Sequence, residues 1–241
     1  MPKHVFFDLD KTLTPSRAPM KERHVPLFER LCKERGVIVV TGQGEERIRA
    51  QIPAVHANLY YKLSQQGNCA IDKDGKVLWR EKLSKEQEEA VRAVVEIFKK
   101  DLNLKIADEN DLFENRGSQA NYSTIGFHAD LKEKHAYDPD FSKRFALLKR
   151  HPEEIARLHE AGIEAIPAGA TSIDFILSGK DKGYNIKRFL ALKAWKKQDC
   201  LYIGYALFRG GNDERVIGVI PTEAVKDEDE TFDFIKQNLL K

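Results

Sequence analysis

Residues 37–40 read Val37-Ile38-Val39-Val40, four β-branched residues with no polar position among them. A strand with one wet face alternates apolar and polar residues. A continuous apolar run suits a strand buried on both faces, as in a parallel sheet covered by helices. The flanks supply those helices. Val25–Glu34 places Leu27, Phe28 and Leu31 on one helical face and meets Gly36 as a stop, and a second helix is expected from Glu45 to Gln51. Upstream, residues 4–9 form a short apolar run that ends in acid, and Cys200–Ile203 repeats the buried-strand pattern near the other end of the chain. Strand, helix, strand, helix in this order predicts an α/β unit with right-handed crossovers.

The middle of the chain changes character. Asn68–Ile71 and Lys76–Trp79 flank Asp72-Lys73-Asp74-Gly75, a hairpin signal. Ser84 with Gln87 makes a capping box before a helix carrying Ala90, Val91, Val94, Val95 and Phe98. Gln119–Phe127 alternates like a strand, Pro152 opens a second helix that stops at Gly162, and Ile163–Pro167 and Ser172–Leu177 read as strands. Helical pattern resumes over Tyr184–Trp195, and Asp229–Leu240 is a last helix with Phe232, Ile235 and Leu239 in register. These segments predict an α+β module inserted into an α/β chain: a core of 1–77 plus 178–241, and an insertion at 78–177.

The 241 residues are enough for two domains of ordinary size. Forty Lys and Arg against 38 Asp and Glu leave a net charge of +2, which gives no electrostatic footprint for nucleic acid or an anionic membrane. No apolar stretch approaches the ~18 residues of a membrane span, and no leader pattern is visible. Cys32, Cys69 and Cys200 have neither disulfide nor zinc spacing and are expected as free thiols. A cytoplasmic protein is the expectation.

Chemistry concentrates where the first strand ends, at Asp8-Leu9-Asp10-Lys11-Thr12. Ligands of open parallel sheets bind beyond the carboxyl ends of the strands. Two aspartates on one exposed turn repel each other and call for a cation or a proton. Mg²⁺ bound through carboxylates and phosphate oxygens suits them. One carboxylate can also attack phosphorus while the other carries a proton.

This motif resembles the first motif of the haloacid dehalogenase-like (HAD) phosphotransferases, and the rest of the chain follows in order. Val39-Val40-Thr41-Gly42 resembles the second motif, Lys182 the third-motif lysine, and Gly210-Gly211-Asn212-Asp213 the fourth, acidic motif. The resemblance implies a Rossmann-like parallel-sheet core with an inserted α+β cap of the C2 type. It also implies an aspartyl-phosphate enzyme with Asp8 as nucleophile, Asp10 as acid and base, and Thr41 and Lys182 on the phosphoryl oxygens. Mg²⁺ is implied at Asp8, at the Asp10 main-chain carbonyl and at Asp213. Within the superfamily the chain is most similar to subfamily IIB, the Cof-type phosphatases and eukaryotic-type phosphomannomutases. Arg17, Gly42, Arg116, Asn121, Ser172 and Asp174 then become the expected contacts of a small sugar phosphate, and the Ala90–Phe98 helix an apolar face for a homodimer through the cap.

Four positions depart from the family pattern. Tyr205 stands where the family has its first fourth-motif Asp, a direct Mg²⁺ ligand. A weakened metal site, an altered variant and a catalytically poor phosphosugar binder are the open consequences. Phe127 replaces a cap arginine and Lys134 is the substitute weighed for another, which favours a phosphatase over a mutase. Lys11 replaces a Gly, a change tolerated across the superfamily.

Overall fold

The computed structural model describes residues 1–106 and 108–240. The chain begins with β1 (His4–Phe7), α1 (Val25–Glu34), β2 (Gly36–Val40), α2 (Glu45–Gln51), β3 (Tyr61–Ser64), β4 (Cys69–Ile71) and β5 (Val77–Arg80). It continues with α3 (Lys85–Leu102), β6 (Phe113–Asn115), β7 (Gln119–Ser123), α4 (Leu131–Tyr137), α5 (Ser142–Arg150), α6 (Pro152–Glu160), β8 (Ile163–Ala168) and β9 (Ser172–Leu177). It closes with α7 (Lys182–Lys193), β10 (Cys200–Gly204), β11 (Thr222–Ala224) and α8 (Glu228–Phe234), the last running into a π-helical turn to Leu239.

Two compact units result: Met1–Arg80 with Lys180–Lys241, and Glu81–Gly179. The division lies two to three residues beyond the expected limits of 77 and 177. The reason at the first junction is β5, which hydrogen-bonds to β4 and so belongs to the first unit.

The first unit is built on a seven-stranded sheet in the order β11-β10-β1-β2-β3-β4-β5. Its first five strands in that order are parallel, and the β4–β5 hairpin adds an antiparallel edge. β1 shows why a continuous apolar run was needed. Val5 and Phe7 join Val37 and Val39 under α1 and the C-terminal helix, through Phe28, Leu31, Phe232 and Ile235. Phe6 faces the other way, with Ile38, Val40, Ile186 and Phe189. Gly36 is not the stop of α1, which ends at Glu34; it is the first residue of β2. A Cβ there would lie 2.5 Å from Nδ1 of His4, whose ring stacks on Trp195.

The second unit is a four-stranded antiparallel sheet, β6-β7-β9-β8, with helices against one face. Strand alternation sends Ala120, Tyr122, Ile173 and Phe175 into a core with Val91, Val94, Val95 and Phe98 of α3. The apolar stripe of α3 is thus consumed inside its own unit, and the face expected to serve a homodimer is already packed. The capping box of α3 forms as expected: the Ser84 hydroxyl accepts from Gln87 N–H, and the Gln87 side chain accepts from Ser84 N–H at 2.9 Å. The strand expected over Gln119–Phe127 stops at Ser123, because Gly126 turns the chain at φ 101°. Among the described residues, no helix is long and apolar enough to cross a membrane. All three cysteines are buried and free.

Candidate active site

The parallel strands of the first unit aim three loops at one edge. Asp8 follows β1, Thr41 follows β2 and Tyr205 follows β10. Each of the first two extends the ladder by one bond: Asp8 N–H donates to Ile203 C=O at 3.0 Å and Thr41 N–H to Leu63 C=O at 2.9 Å. Asp8 is thereby held at a strand end while its carboxyl is only 3% exposed.

After Asp8 the chain reverses tightly. Lys11 N–H donates to Thr14 C=O, and the Leu13 and Thr14 N–H groups return to Leu9 C=O. Lys11 pays for this turn with a left-handed backbone, φ 57°, which costs a non-glycine residue roughly 1–2 kcal/mol. Asp10 is fixed from two sides. Its Oδ1 accepts from Arg17 N–H at 2.6 Å and from Gln51 Nε2 at 3.0 Å, and the same Gln51 nitrogen reaches Thr14 Oγ1 at 2.8 Å. Arg17 therefore meets Asp10 through its main chain, and Gln51 is a site residue the sequence reading missed.

Lys182 is the first residue of α7, whose N-cap is Asp181. A cation is disfavoured at a helix N-terminus. Two carboxylates outweigh that: Nζ lies 2.7 Å from Asp8 Oδ1 and 2.7 Å from Asp213 Oδ1. Asp213 is completely buried and both of its oxygens are engaged. Oδ1 also accepts from the Tyr202 hydroxyl at 2.6 Å, and Oδ2 accepts from Ala206 N–H at 3.2 Å. Two glycines make room for this cluster. A Cβ at Gly204 would stand 2.5 Å from Asp213 Oδ2, and one at Gly183 2.1 Å from Arg215 C=O.

The cluster has one ammonium for two carboxylates. Burial pushes the Asp8 carboxyl up to about 7, Lys182 opposes the rise and Asp213 adds to it. For Lys182, burial works against the charge, but Asp213 and Asp8 together raise the ammonium above the ordinary lysine range. Burial, reinforced by Asp213, raises the Tyr202 phenol far above its usual value, so it stays a proton donor. Tyr202 was hidden in the sequence because it sits inside an apolar strand, Cys200–Gly204.

Thr41 is not the cap of α2, a position held by Gly44. Its Oγ1 accepts from Gln43 N–H at 3.1 Å, which closes the Thr41-Gly42 turn. Thr41 C=O accepts from Gln66 N–H at 2.9 Å, and the Gln66 side chain donates to Asn212 Oδ1 at 3.0 Å. An amide bridge thus links the second-motif turn to the Gly210–Asp213 loop.

Mg²⁺ prefers near-ideal octahedral oxygen coordination, usually through one or two carboxylates and waters. Asp213 is occupied by Lys182, Tyr202 and Ala206, and position 205 offers a phenol in place of a carboxylate. Among the described residues, no group of three or more His, Cys, Asp or Glu side chains is placed to hold a metal ion. The implied carboxylate set is thus incomplete here: Asp213 is engaged elsewhere and position 205 is a tyrosine.

In the second unit, β7 and β9 pair Asn121 with Asp174 and Ser123 with Ser172. Asn121 Nδ2 donates to Asp174 Oδ1, and Gln119 Nε2 donates to Asn121 Oδ1 at 3.1 Å. The polar residues of β7 alternate with its core residues, so this face carries amides, hydroxyls and one acid. Arg116 forms a two-pronged pair with Glu114, with Nη2 at 2.6 Å and Nε at 2.9 Å. Lys134 is buried and donates to Phe127 C=O at 2.5 Å. The main chain of Ser172 is anchored by Arg144, whose Nη1 reaches Ser172 C=O at 2.8 Å.

No curated protein matches the sequence. Solved structures share the fold. The N-terminally truncated, IMP-bound IMP-nucleotidase of Plasmodium falciparum superposes with a TM-score of 0.69 at 14% identity, over 98% of this chain and 67% of its own. A haloacid dehalogenase-like hydrolase from Bacteroides thetaiotaomicron gives 0.63 at 14% identity, covering 98% and 99%. A Streptococcus mutans protein gives 0.67 at 14%, covering 99% of each chain. The chain spans 62% of the P. falciparum enzyme when that is not truncated. The sequence model of one family matches residues 5–207, a stretch that begins in β1 and takes in the Asp8, Thr41 and Lys182 loops. On that match, the protein belongs to the haloacid dehalogenase-like hydrolases.

Proposed function

We propose that the protein is a phosphatase of small phosphomonoesters that works through an aspartyl-phosphate on Asp8. The observation that carries this reading is the buried ammonium of Lys182 set 2.7 Å from the Asp8 carboxylate at the carboxyl end of β1. An Asp8 oxygen attacks phosphorus and the bond to the ester oxygen breaks. Asp10 gives its proton to that leaving oxygen. Water then attacks the phosphorus of the aspartyl-phosphate, Asp10 takes its proton, the bond to Asp8 breaks and inorganic phosphate departs. Lys182 and the Thr41-Gly42 turn receive the phosphoryl oxygens, with charge fixed in a dry site where it counts most. Gln51 and the Arg17 main chain hold Asp10 for both proton transfers.

Substrate preference is assigned to a sugar phosphate. The support is the hydroxyl-matching face of Asn121, Asp174, Ser172 and Gln119 in the second unit, a face that carries amides, a hydroxyl and one acid. Two observations favour phosphatase over phosphomannomutase. Arg116 is paired with Glu114, and Lys134 is buried on a main-chain carbonyl. A mutase holds a bisphosphorylated intermediate and needs strong charge in its cap. Mg²⁺ is the usual ion of the family, and this chain is expected to bind it weakly.

The test is incubation with mannose 1-phosphate plus catalytic glucose 1,6-bisphosphate, alongside a panel of phosphomonoesters that includes IMP, the ligand of the P. falciparum neighbour. Release of inorganic phosphate is expected. Mannose 6-phosphate without phosphate release would establish the mutase, and no turnover of any ester would overturn the phosphatase reading.

A further inference from the structure

Two of the positions that depart from the family pattern touch each other. Lys11 Nζ lies over the ring of Tyr205, 5.4 Å from its centroid, within the range of a cation–π contact. The two loops that carry them are tied by a second bond, from Tyr205 N–H to Thr12 Oγ1 at 3.1 Å. Lys11 also holds a left-handed backbone, φ 57°, in the turn that joins Asp10 to Thr14. Glycine adopts that conformation without strain, whereas a lysine persists there only when its surroundings over-determine it.

The charge balance of the site explains why a lysine would be worth that strain. Asp8 and Asp213 share the single ammonium of Lys182, and Asp213 has both oxygens engaged. A phosphate arriving at Asp8 adds further negative charge. An additional cation would offset it, and the carboxylates that would hold a divalent ion are depleted, with Asp213 engaged and a tyrosine at position 205. At an acidic position 205, a carboxylate would face that ion. Here position 205 presents an aromatic face, which attracts an ammonium and supplies no strong ligand to a hard metal. Lys11 is a compact cation on a flexible stem, suited to a phosphate as a point charge.

We propose that Lys11, seated against Tyr205, is the resident cation for the phosphate group at Asp8, so that the chain binds phosphomonoesters without a divalent ion. The inference deepens the phosphatase reading and rests on it for where the phosphate sits.

The test is calorimetric titration with inorganic phosphate, in EDTA and in excess Mg²⁺, which reads binding without turnover. The expected Kd of the unaltered protein is the same within twofold in both media. Lys11→Gly, which relaxes the backbone, is expected to weaken binding at least tenfold in EDTA. Lys11→Asn, neutral and tolerant of positive φ, provides the same reading if the glycine variant does not fold. Lys11→Arg is expected to keep Kd within threefold. The double variant Lys11→Gly with Tyr205→Asp is expected to regain phosphate binding only when Mg²⁺ is present. Tenfold tighter binding by the unaltered protein in Mg²⁺, or an unchanged Kd in the neutral Lys11 variants, overturns the proposal. So does a double variant indifferent to Mg²⁺. Metal-free phosphate binding with no hydrolysis of any ester sinks the phosphatase reading and leaves the role of Lys11 standing. Hydrolysis and binding that both require Mg²⁺ do the reverse.

Discussion

Each unit buries a charged cluster, and the two clusters are built on opposite plans. In the cap, Arg144 faces one carboxylate: Nε lies 2.6 Å from Asp138 Oδ2, with both side chains almost fully buried. Nη1 donates to the carbonyls of Ala168, Gly169 and Ser172 and Nη2 to the Asp138 carbonyl, while the Asp138 carboxylate also accepts from the Lys143 and Arg144 N–H groups. Charge is balanced and the lone pairs are used. In the core, Lys182 faces two carboxylates, and Asp8 is pushed up to about 7 as a result of burial and its acidic neighbour. A pair that holds structure is complete in itself. The Asp8 cluster is left with one carboxylate unmatched, the kind of perturbed group that marks a candidate site.

The comparison breaks first at Asp8. Asp8→Asn is expected to lower phosphatase turnover on the order of 10³-fold or more, as nucleophile loss does. It is expected to leave the melting temperature no lower, because Lys182 and Asp213 then form a balanced pair. Retained turnover would remove Asp8 as nucleophile, and a large fall in melting temperature would make the cluster structural. Arg144→Met should behave in the reverse sense. It strands the Asp138 carboxylate, so a loss of about 3–5 kcal/mol is expected in urea unfolding. A loss below about 1 kcal/mol would show that the cap pair is not the anchor described. Tyr202→Phe is a smaller probe. It takes one donor from Asp213 and should cost about 1.5–3 kcal/mol, measured by the same titration, the usual range for a hydrogen bond to a charged group.

The smallest effect is expected at the surface cluster of Lys21, Arg23 and Asp229. Hydrogen bonds from Lys21 and Arg23 hold the Asp229 carboxyl down to about 2, against an ordinary 3.8. A lowered carboxyl stabilises the fold above its unfolded value, and that gain is lost as pH falls from about 4 towards 2. Asp229 is 42% exposed, so screening limits the gain to about 1 kcal/mol or less. Unfolding curves of Asp229→Asn and the unaltered protein should therefore converge below pH 2. Divergence in that range would mean the cluster is stabilised by something other than charge.

The parts of the fold that were legible share one trait: their signal is local. The Val37–Val40 run needed two covered faces and has them, and the capping box at Ser84 needed only four residues. β3, β6, β11, α4 and α5 carry no such local signal. Tyr61-Lys62-Leu63-Ser64 is too short and mixed to announce a strand, and it forms because β2 and β4 offer it hydrogen bonds on either side. Ser142–Arg150 is a charged helix whose reason lies in the Arg144–Asp138 pair. The four motif segments are read in order from the sequence, and the structure sets Lys182 against Asp8 and Asp213 and links the Thr41 turn to the Gly210–Asp213 loop. Gln51 was not legible, because its bond to Asp10 joins the end of one helix to a loop 41 positions away. Lys11 reads in the sequence as a tolerated change, since neither its positive φ nor its contact with Tyr205 has a sequence signature.

β1 has one neighbour close in the chain and one very far. His4 pairs with Gly36 on one side and with Cys200 on the other. As the chain leaves the ribosome, β1 and β2 can meet early, but the second flank of β1 stays open while the whole cap is synthesised. Lys182, Tyr202 and Asp213 all arrive after it. The nascent protein thus carries Asp8 at the end of a half-paired strand, without the Lys182 ammonium that later binds it. The site closes last, and a chain cut before β10 would keep most of its length but lose Tyr202 and Asp213 from the cluster.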